Sequence, residues 1–175
     1  MKKIIFAFIL ISSYSYAQVA IGKNNVTNNS VSLEFADGPK GIILPYVESK
    51  AGITTPGTLI LDTTDNRVKM KVDGADWFDY SSDSSDVSHN GIVDLSLQTA
   101  LIESPEAKVS IGDPTDVDGV LVLEDSDKAM ILPQIVSPEL NVVNPAPGTI
   151  VYDPFRKMLC VYNGKHWSYW EAAAN

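Results

Sequence analysis

One string occurs twice in this chain of 175 residues. Residues 56–80 read PGTLILDTTDNRVKMKVDGADWFDY, and residues 147–170 read PGTIVYDPFRKMLCVYNGKHWSYW. Each gives Pro-Gly-Thr, three apolar residues, Asp, a polar turn, an alternating run, a turn dipeptide ending in Gly, and then Trp. Pro and Gly interrupt the incoming chain, and the β-branched and aromatic residues that follow favour extended backbone. Asp73-Gly74 and Asn163-Gly164 are dipeptides that suit a type I′ hairpin, in which both central residues take positive φ. The string predicts a three-stranded β-meander used twice, with Trp77 and Trp167 each closing the core of one copy.

The correspondence extends upstream. Val19-Ala20-Ile21-Gly22 answers Val109-Ser110-Ile111-Gly112, and Leu33-Glu34-Phe35 answers Leu121-Val122-Leu123. Lys40-Gly41-Ile42-Ile43-Leu44-Pro45 answers Lys128-Ala129-Met130-Ile131-Leu132-Pro133. The runs are short, apolar and bounded by Gly, Pro, Asn and Asp, which is a strand pattern. Pro45 and Pro133 are expected to end their strands, or to lie at a sheet edge. The expected fold is all-β: two tandem, small meander or sandwich-like modules, residues 18–82 and 109–172, after a leader at 1–17. Residues 83–108 form a connector. Its first half is polar, while 92–102 fits either a helical face of Leu97, Ala100 and Leu101 or a strand through Val93, Leu95 and Leu97. Asn90-Gly91 favours the short strand or an extended connector.

A module of about sixty residues is a marginal size for a private core. Residues 68–72 read VKMKV, apolar on one face and basic on the other, whereas 158–162 read MLCVY, apolar on both. In this comparison Leu159 and Val161 stand where the first copy has Lys69 and Lys71. A strand with two apolar faces has both covered, so the second face is expected to pack on the first copy, the connector or another subunit. Leu159 and Val161 are therefore interface candidates, together with Trp77, Trp167, Tyr169 and Trp170.

Residues 1–17 have the three parts of a secretory signal: Lys2 and Lys3, an apolar run from Ile4 to Ile11, and Ser15-Tyr16-Ala17 as a small-x-small cleavage site. The apolar run is too short to span a bilayer as a helix. Cleavage would leave Gln18 first and an exported chain in the periplasm, at the cell surface or outside the cell. Loss of Lys2 and Lys3 from the 13 basic residues leaves 11 against 22 acidic, a net charge of −11. That balance disfavours nucleic acid and bare anionic membrane as partners.

The residues for catalysis do not converge in the sequence. His89 and His166 are the only histidines, and Cys160 the only cysteine, set inside an alternating strand as a small core residue. Hydrolase dyads and zinc sites need several converging ligands. Asp113, Asp116 and Asp118 before Gly119 invite a calcium reading, but the distal Glu of an EF-hand is missing and a polar turn is favoured. No catalytic residue, metal site or cofactor is expected. Tyr80, Tyr169 and Trp170 are aromatics that could stack on sugar rings if exposed.

The V-x-I-G, K-G-h-x-L-P and P-G-T…Y-x-G-x-x-W strings together resemble a repeated module of exported Bacteroidetes surface proteins, and a similar hairpin occurs in phage tail-fibre-type modules. The second copy departs with Ala129 at the Gly41 position; the first departs with Val72 before its last turn and Leu61 where the second has Tyr152. The resemblance implies a non-enzymatic part of a cell-envelope or surface fibre, stalk or adhesin assembly. It also implies self-association, homotrimeric in such proteins, or an envelope protein as partner. The alternative is an extracellular carbohydrate- or ligand-binding module using exposed aromatics.

Overall fold

The computed structural model describes residues 18–81, 91–99, 102, 104, 107–113 and 115–171. Residues 1–17, read above as a leader, and the polar stretch 82–90 with His89 lie outside the described residues. The described chain is nearly all β. Its first segment carries β1 (Val19–Ile21), β2 (Val31–Phe35), β3 (Ile42–Ile43), β4 (Tyr46–Val47), β5 (Leu59–Asp62), β6 (Arg67–Lys71) and β7 (Trp77–Asp79). The second carries β8 (Val109–Ile111), β9 (Leu121–Leu123), β10 (Ala129–Ile131), β11 (Thr149–Asp153), β12 (Met158–Tyr162) and β13 (Trp167–Glu171).

The same local pairings recur at positions that the two strings equate. β1 runs parallel to β2 with Val19 opposite Leu33, and β8 runs parallel to β9 with Val109 opposite Leu121. β5, β6 and β7 form one antiparallel meander, and β11, β12 and β13 the other. Tyr46 pairs parallel with Leu61, and Gln134 makes the matching parallel bridge to Tyr152. The amides of Leu61 and Tyr152 donate to the carbonyls of Pro45 and Pro133, at 2.8 and 3.0 Å. Proline ends the β3 strand because the chain there leaves one sheet for another: β3 lies on β11, and β4 on β5.

The segments interlock. β3 of the first adds antiparallel to β11 of the second, and β10 of the second adds parallel to β2 of the first. A core shared by both segments follows, with Leu44, Leu61 and Val68 packed against Ile150 and Val161. On the far side of β11 and β12, Val151 and Cys160 pack under Ile135, Val142 and Trp167. Both apolar faces of β12 are thus covered within the chain. At Gly41 the approach of β3 to β11 leaves no room for a side chain, since a Cβ would lie 2.5 and 2.7 Å from methyls of Thr149 and Val151.

Three sequence expectations change in detail. Pairing matches Val68 with Leu61 and Leu159 with Tyr152, so Leu159 occupies the Val68 position and Val161 the Met70 position. It is Cys160 and Tyr162 that replace Lys69 and Lys71. The one-residue offset lies in the following turn, which has five residues between Lys71 and Trp77 but four between Tyr162 and Trp167. That length also rules out two-residue type I′ turns. Gly74 and Gly164 have φ of 64° and 99°, but Asp73 and Asn163 stay outside the left-handed region. The buried Asn163 side chain closes its turn instead, its oxygen accepting from the amides of Lys165 and His166 at 2.9 and 2.8 Å. Finally, the connector contains one helical turn, Ser96–Thr99, rather than a strand. Asp94 accepts from the Ser96 amide at 2.9 Å, the local bond that starts a helix. Before it, Gly91 lies so close to the Asn163 carbonyl that no Cβ fits, and Val93 reaches the shared core.

Candidate functional site

Strand exchange makes the seam between the segments the most elaborated part of the molecule. Polar side chains cross it to backbone: Tyr46 Oη donates to Pro147 O at 2.9 Å, Ser168 Oγ to Ser81 O at 2.9 Å, and Trp170 Nε1 to Tyr80 O at 2.8 Å. Ser32 Oγ donates to Asp125 at 2.6 Å, which also takes Lys128 at 2.8 Å. Phe78, Tyr80 and Trp170 form an edge-to-face triangle with centroids 4.8 to 5.5 Å apart. Such pairs add stability beyond the area they bury.

The six residues singled out from the sequence divide between packing and surface. Trp167 is half-buried on the β12 core and lies 5.2 Å from the Tyr162 ring. Trp77 is half-buried against a lysine: Lys71, 3 % exposed, holds its ammonium 5.5 Å from the indole and donates to the carbonyls of Gly74 and Asp76. Val161 is fully buried and Leu159 half-buried, both packed on the seam between the segments. Trp170 is taken up by the seam. Tyr169 is 39 % exposed, under Arg156 and bonded to Glu139, which Arg156 grips with both nitrogens at 2.6 and 3.0 Å. Burial and the Glu139 carboxylate push the Tyr169 phenol up to about 12.

Several carboxylates are held by hydrogen bonds within the fold. Asp62 is buried at the end of β5, where it accepts from Lys50, Lys69 and Thr64. Burial opposes its charge, but those donors outweigh burial and hold the carboxyl below the usual range. Glu34 closes the loop after β1, accepting from Lys23 and from the amide and hydroxyl of Thr27; the Lys23 bond leads in lowering its pKa to about 2. Glu124 accepts from the amide and hydroxyl of Thr115 in the same way. Desolvation raises the buried Cys160 thiol to about 11. His166 sits exposed in the β12–β13 turn. Among the described residues no group of three or more His, Cys, Asp or Glu could hold a metal ion, and no helix is long and apolar enough to cross a membrane.

Sequence reasoning missed the free strand edges. β9 has no neighbour beyond β8, and β3 none beyond β11, among the described residues. Leu33 on β2 is 1 % exposed, whereas its counterpart Leu121 on β9 is 46 % exposed. Ile43 on β3 is 56 % exposed. The signal lay in the matching of Leu33 with Leu121, because aligned apolar positions should want similar neighbours. Phe78, 40 % exposed beside the seam aromatics, was also missed. Comparison with family models, curated proteins and solved structures gave no match.

Proposed function

We propose that this chain is an exported, non-enzymatic structural component of a cell-envelope or surface assembly of fibre, stalk or adhesin type. The observation that carries this reading is the exchange of β3 and β10 between segments, which ties the two segments into one scaffold through backbone ladders. A scaffold of that kind transmits load through backbone ladders and a shared core, and leaves strand edges for further chains. The tripartite N-terminus supplies the address, and the acidic surface suits an extracytoplasmic setting. The test is fractionation of cells producing the native gene product, with intact mass and pull-down from the envelope. A chain starting at Gln18 in a large envelope complex supports the role. A Met1 form confined to the cytoplasm refutes it.

A second reading is favoured by Phe78 and Tyr169, which are 40 % and 39 % exposed on the β7 and β13 strands. In that reading the module binds a carbohydrate by ring stacking. Glycan-array binding that is lost in Phe78→Ala, with an unchanged melting curve, would favour it over the structural role.

A further inference from the structure

The internal junction between the segments is itself a pattern for joining one molecule to the next, and among the described residues β9 and β3 each keep one edge without a neighbour. We propose that chains associate head to tail by strand addition, the free edge of β9 in one molecule accepting β3 of a second copy. This deepens the structural reading above and rests on it.

Within the chain, β2 accepts β10 in parallel with Val31 opposite Ala129, Leu33 opposite Met130 and Glu34 opposite Ile131. The equivalent strands are β9 and β3. Carried over, the register sets Gly119 opposite Gly41, Leu121 opposite Ile42 and Val122 opposite Ile43. The backbone groups needed are on the correct edges. In β9 the carbonyl of Val120 and the amide of Glu124 are bonded toward β8, so alternation turns those of Leu121 and Leu123 outward. In β3 the Leu44 amide donates to Gly148 O at 3.1 Å, so Ile42 and Leu44 face β11 and Ile43 faces out. The matching edge of β10 is the one that β2 uses, the Ala129 amide donating to Ser30 O at 2.9 Å.

Burial follows the same logic. Where the junction is made, Ser32 and Leu33 are each 1 % exposed; where it is open, their counterparts Val120 and Leu121 are 58 % and 46 % exposed. Gly148 and Thr149 are buried under β3, while their counterparts Gly57 and Thr58 are exposed and half-buried. The β9 edge, Gly-Val-Leu-Val-Leu over residues 119–123, carries none of the charges or prolines that keep edge strands apart. The contact is heterologous, so repetition gives a ring or a filament rather than a closed pair.

The junction is not a rigid copy of the internal one. Its second half would place β10 of one molecule on β5 of the next, with Ala129 in the Gly41 role. A Cβ at Gly41 meets Thr149 and Val151 too closely, and Thr58 and Ile60 are their counterparts on β5. β10 must therefore stand off, and the β9–β3 pairing carries the contact.

Cysteine trapping decides this, with the native Cys160 buried and out of reach. Ile43→Cys and Val122→Cys chains are purified separately, mixed at about 100 µM, where micromolar contacts are populated, and oxidised. The expected result is a disulfide heterodimer in the mixture, little dimer in either variant alone, and a ladder of oligomers from the double variant. Adding Leu121→Lys to the Val122→Cys chain should abolish the heterodimer with the Ile43→Cys chain while leaving the melt unchanged, and Ala129→Gly should strengthen association in light scattering. No heterodimer, with a monomeric parent by light scattering, overturns the proposal. Equal dimer from one single variant overturns it too, by showing a two-fold contact. If trapping fails while the chain is still recovered in an envelope complex, the structural role stands and its neighbour is another protein.

Discussion

Leu61 lies where the two segments share their core, fully buried among Leu44, Val68, Ile150 and Val161. Leu61→Ala removes three carbons from a site walled by strands of both segments. β5 is held by β4 and β6 on either side, so the cavity cannot close by a simple shift of backbone. The cost is about 3–4 kcal/mol, within the range for buried leucines, against a total stability of roughly 5–15 kcal/mol. For a chain of this size each kcal/mol moves Tm by about 2–4 °C, so Tm should fall by roughly 6–16 °C. The decisive feature is the shape of the melt. Far-UV circular dichroism reports the strands of both segments, while the three tryptophans divide between them, Trp77 in the first and Trp167 and Trp170 in the second. A shared core requires both signals to move together as one transition. Two separated transitions, or a second-segment melt untouched by Leu61→Ala, would refute the interlocked core.

Trp167→Ala should cost about 3–5 kcal/mol through the core it covers, and Trp77→Ala less cavity but also the aromatic face beside the buried Lys71 ammonium; equal, unshifted melts would show both rings to be dispensable. Asp62 and Glu34 have folded pKa values below their ordinary ones, so each contributes stability above the ordinary carboxylate range and loses it as pH falls through the folded value. Tm should therefore decline from about pH 4.5 down to 2, and Asp62→Asn should flatten that slope; an unchanged slope counts against it. Asn163→Ala removes the oxygen that accepts two turn amides, and should lower stability by about 1–3 kcal/mol, read by chemical denaturation. Cys160 should resist alkylation in the native chain and react only on unfolding; prompt labelling would show the second core to be open.

Much of the local structure was legible because it is written in short-range chemistry. Pro-Gly-Thr, the alternating runs and the Gly after each turn place both meanders, and Pro45 and Pro133 mark where the chain changes sheets. What could not be read was which strand neighbours which. Nothing in Ile42 and Ile43 says that their partners are Thr149 and Ile150, more than a hundred residues away, because a strand's sequence specifies a face and not a neighbour. The turn lengths were misread for a related reason. Asp-Gly and Asn-Gly permit type I′ geometry, but the buried Asn163 amide offers a longer turn its own hydrogen bonds. Shifting the insertion by a single residue then assigned Leu159 and Val161 to the lysine-bearing face, since one step along a strand exchanges its faces.

Corrected, that register shows where the two meanders differ in sequence and why. Leu159 and Val161 keep the apolar character of Val68 and Met70 because that face meets the other segment in both copies. The divergence is confined to the opposite face, where each copy is covered by its own loop. In the first, Lys69 and Lys71 serve Asp62, Asp65 and the β6–β7 turn. In the second, Cys160 and Tyr162 pack with Val151 and Trp167 beneath the segment that includes Ile135 and the helical turn at Pro138–Asn141. Asp62 and Asp153 mark the same buried position, yet they are satisfied differently. Asp62 takes two lysines and Thr64, whereas Asp153 takes the amides of Ser137, Phe155 and Arg156, at 2.9 to 3.1 Å, with only the partly exposed Arg156 guanidinium, 3.8 Å away, as a cation. A carboxylate satisfied by backbone needs no buried lysine beside it, which frees the Cys160 position to be apolar. The face shared between segments admits no such local substitution, because a charge introduced there would be buried against the partner strand without a counter-ion.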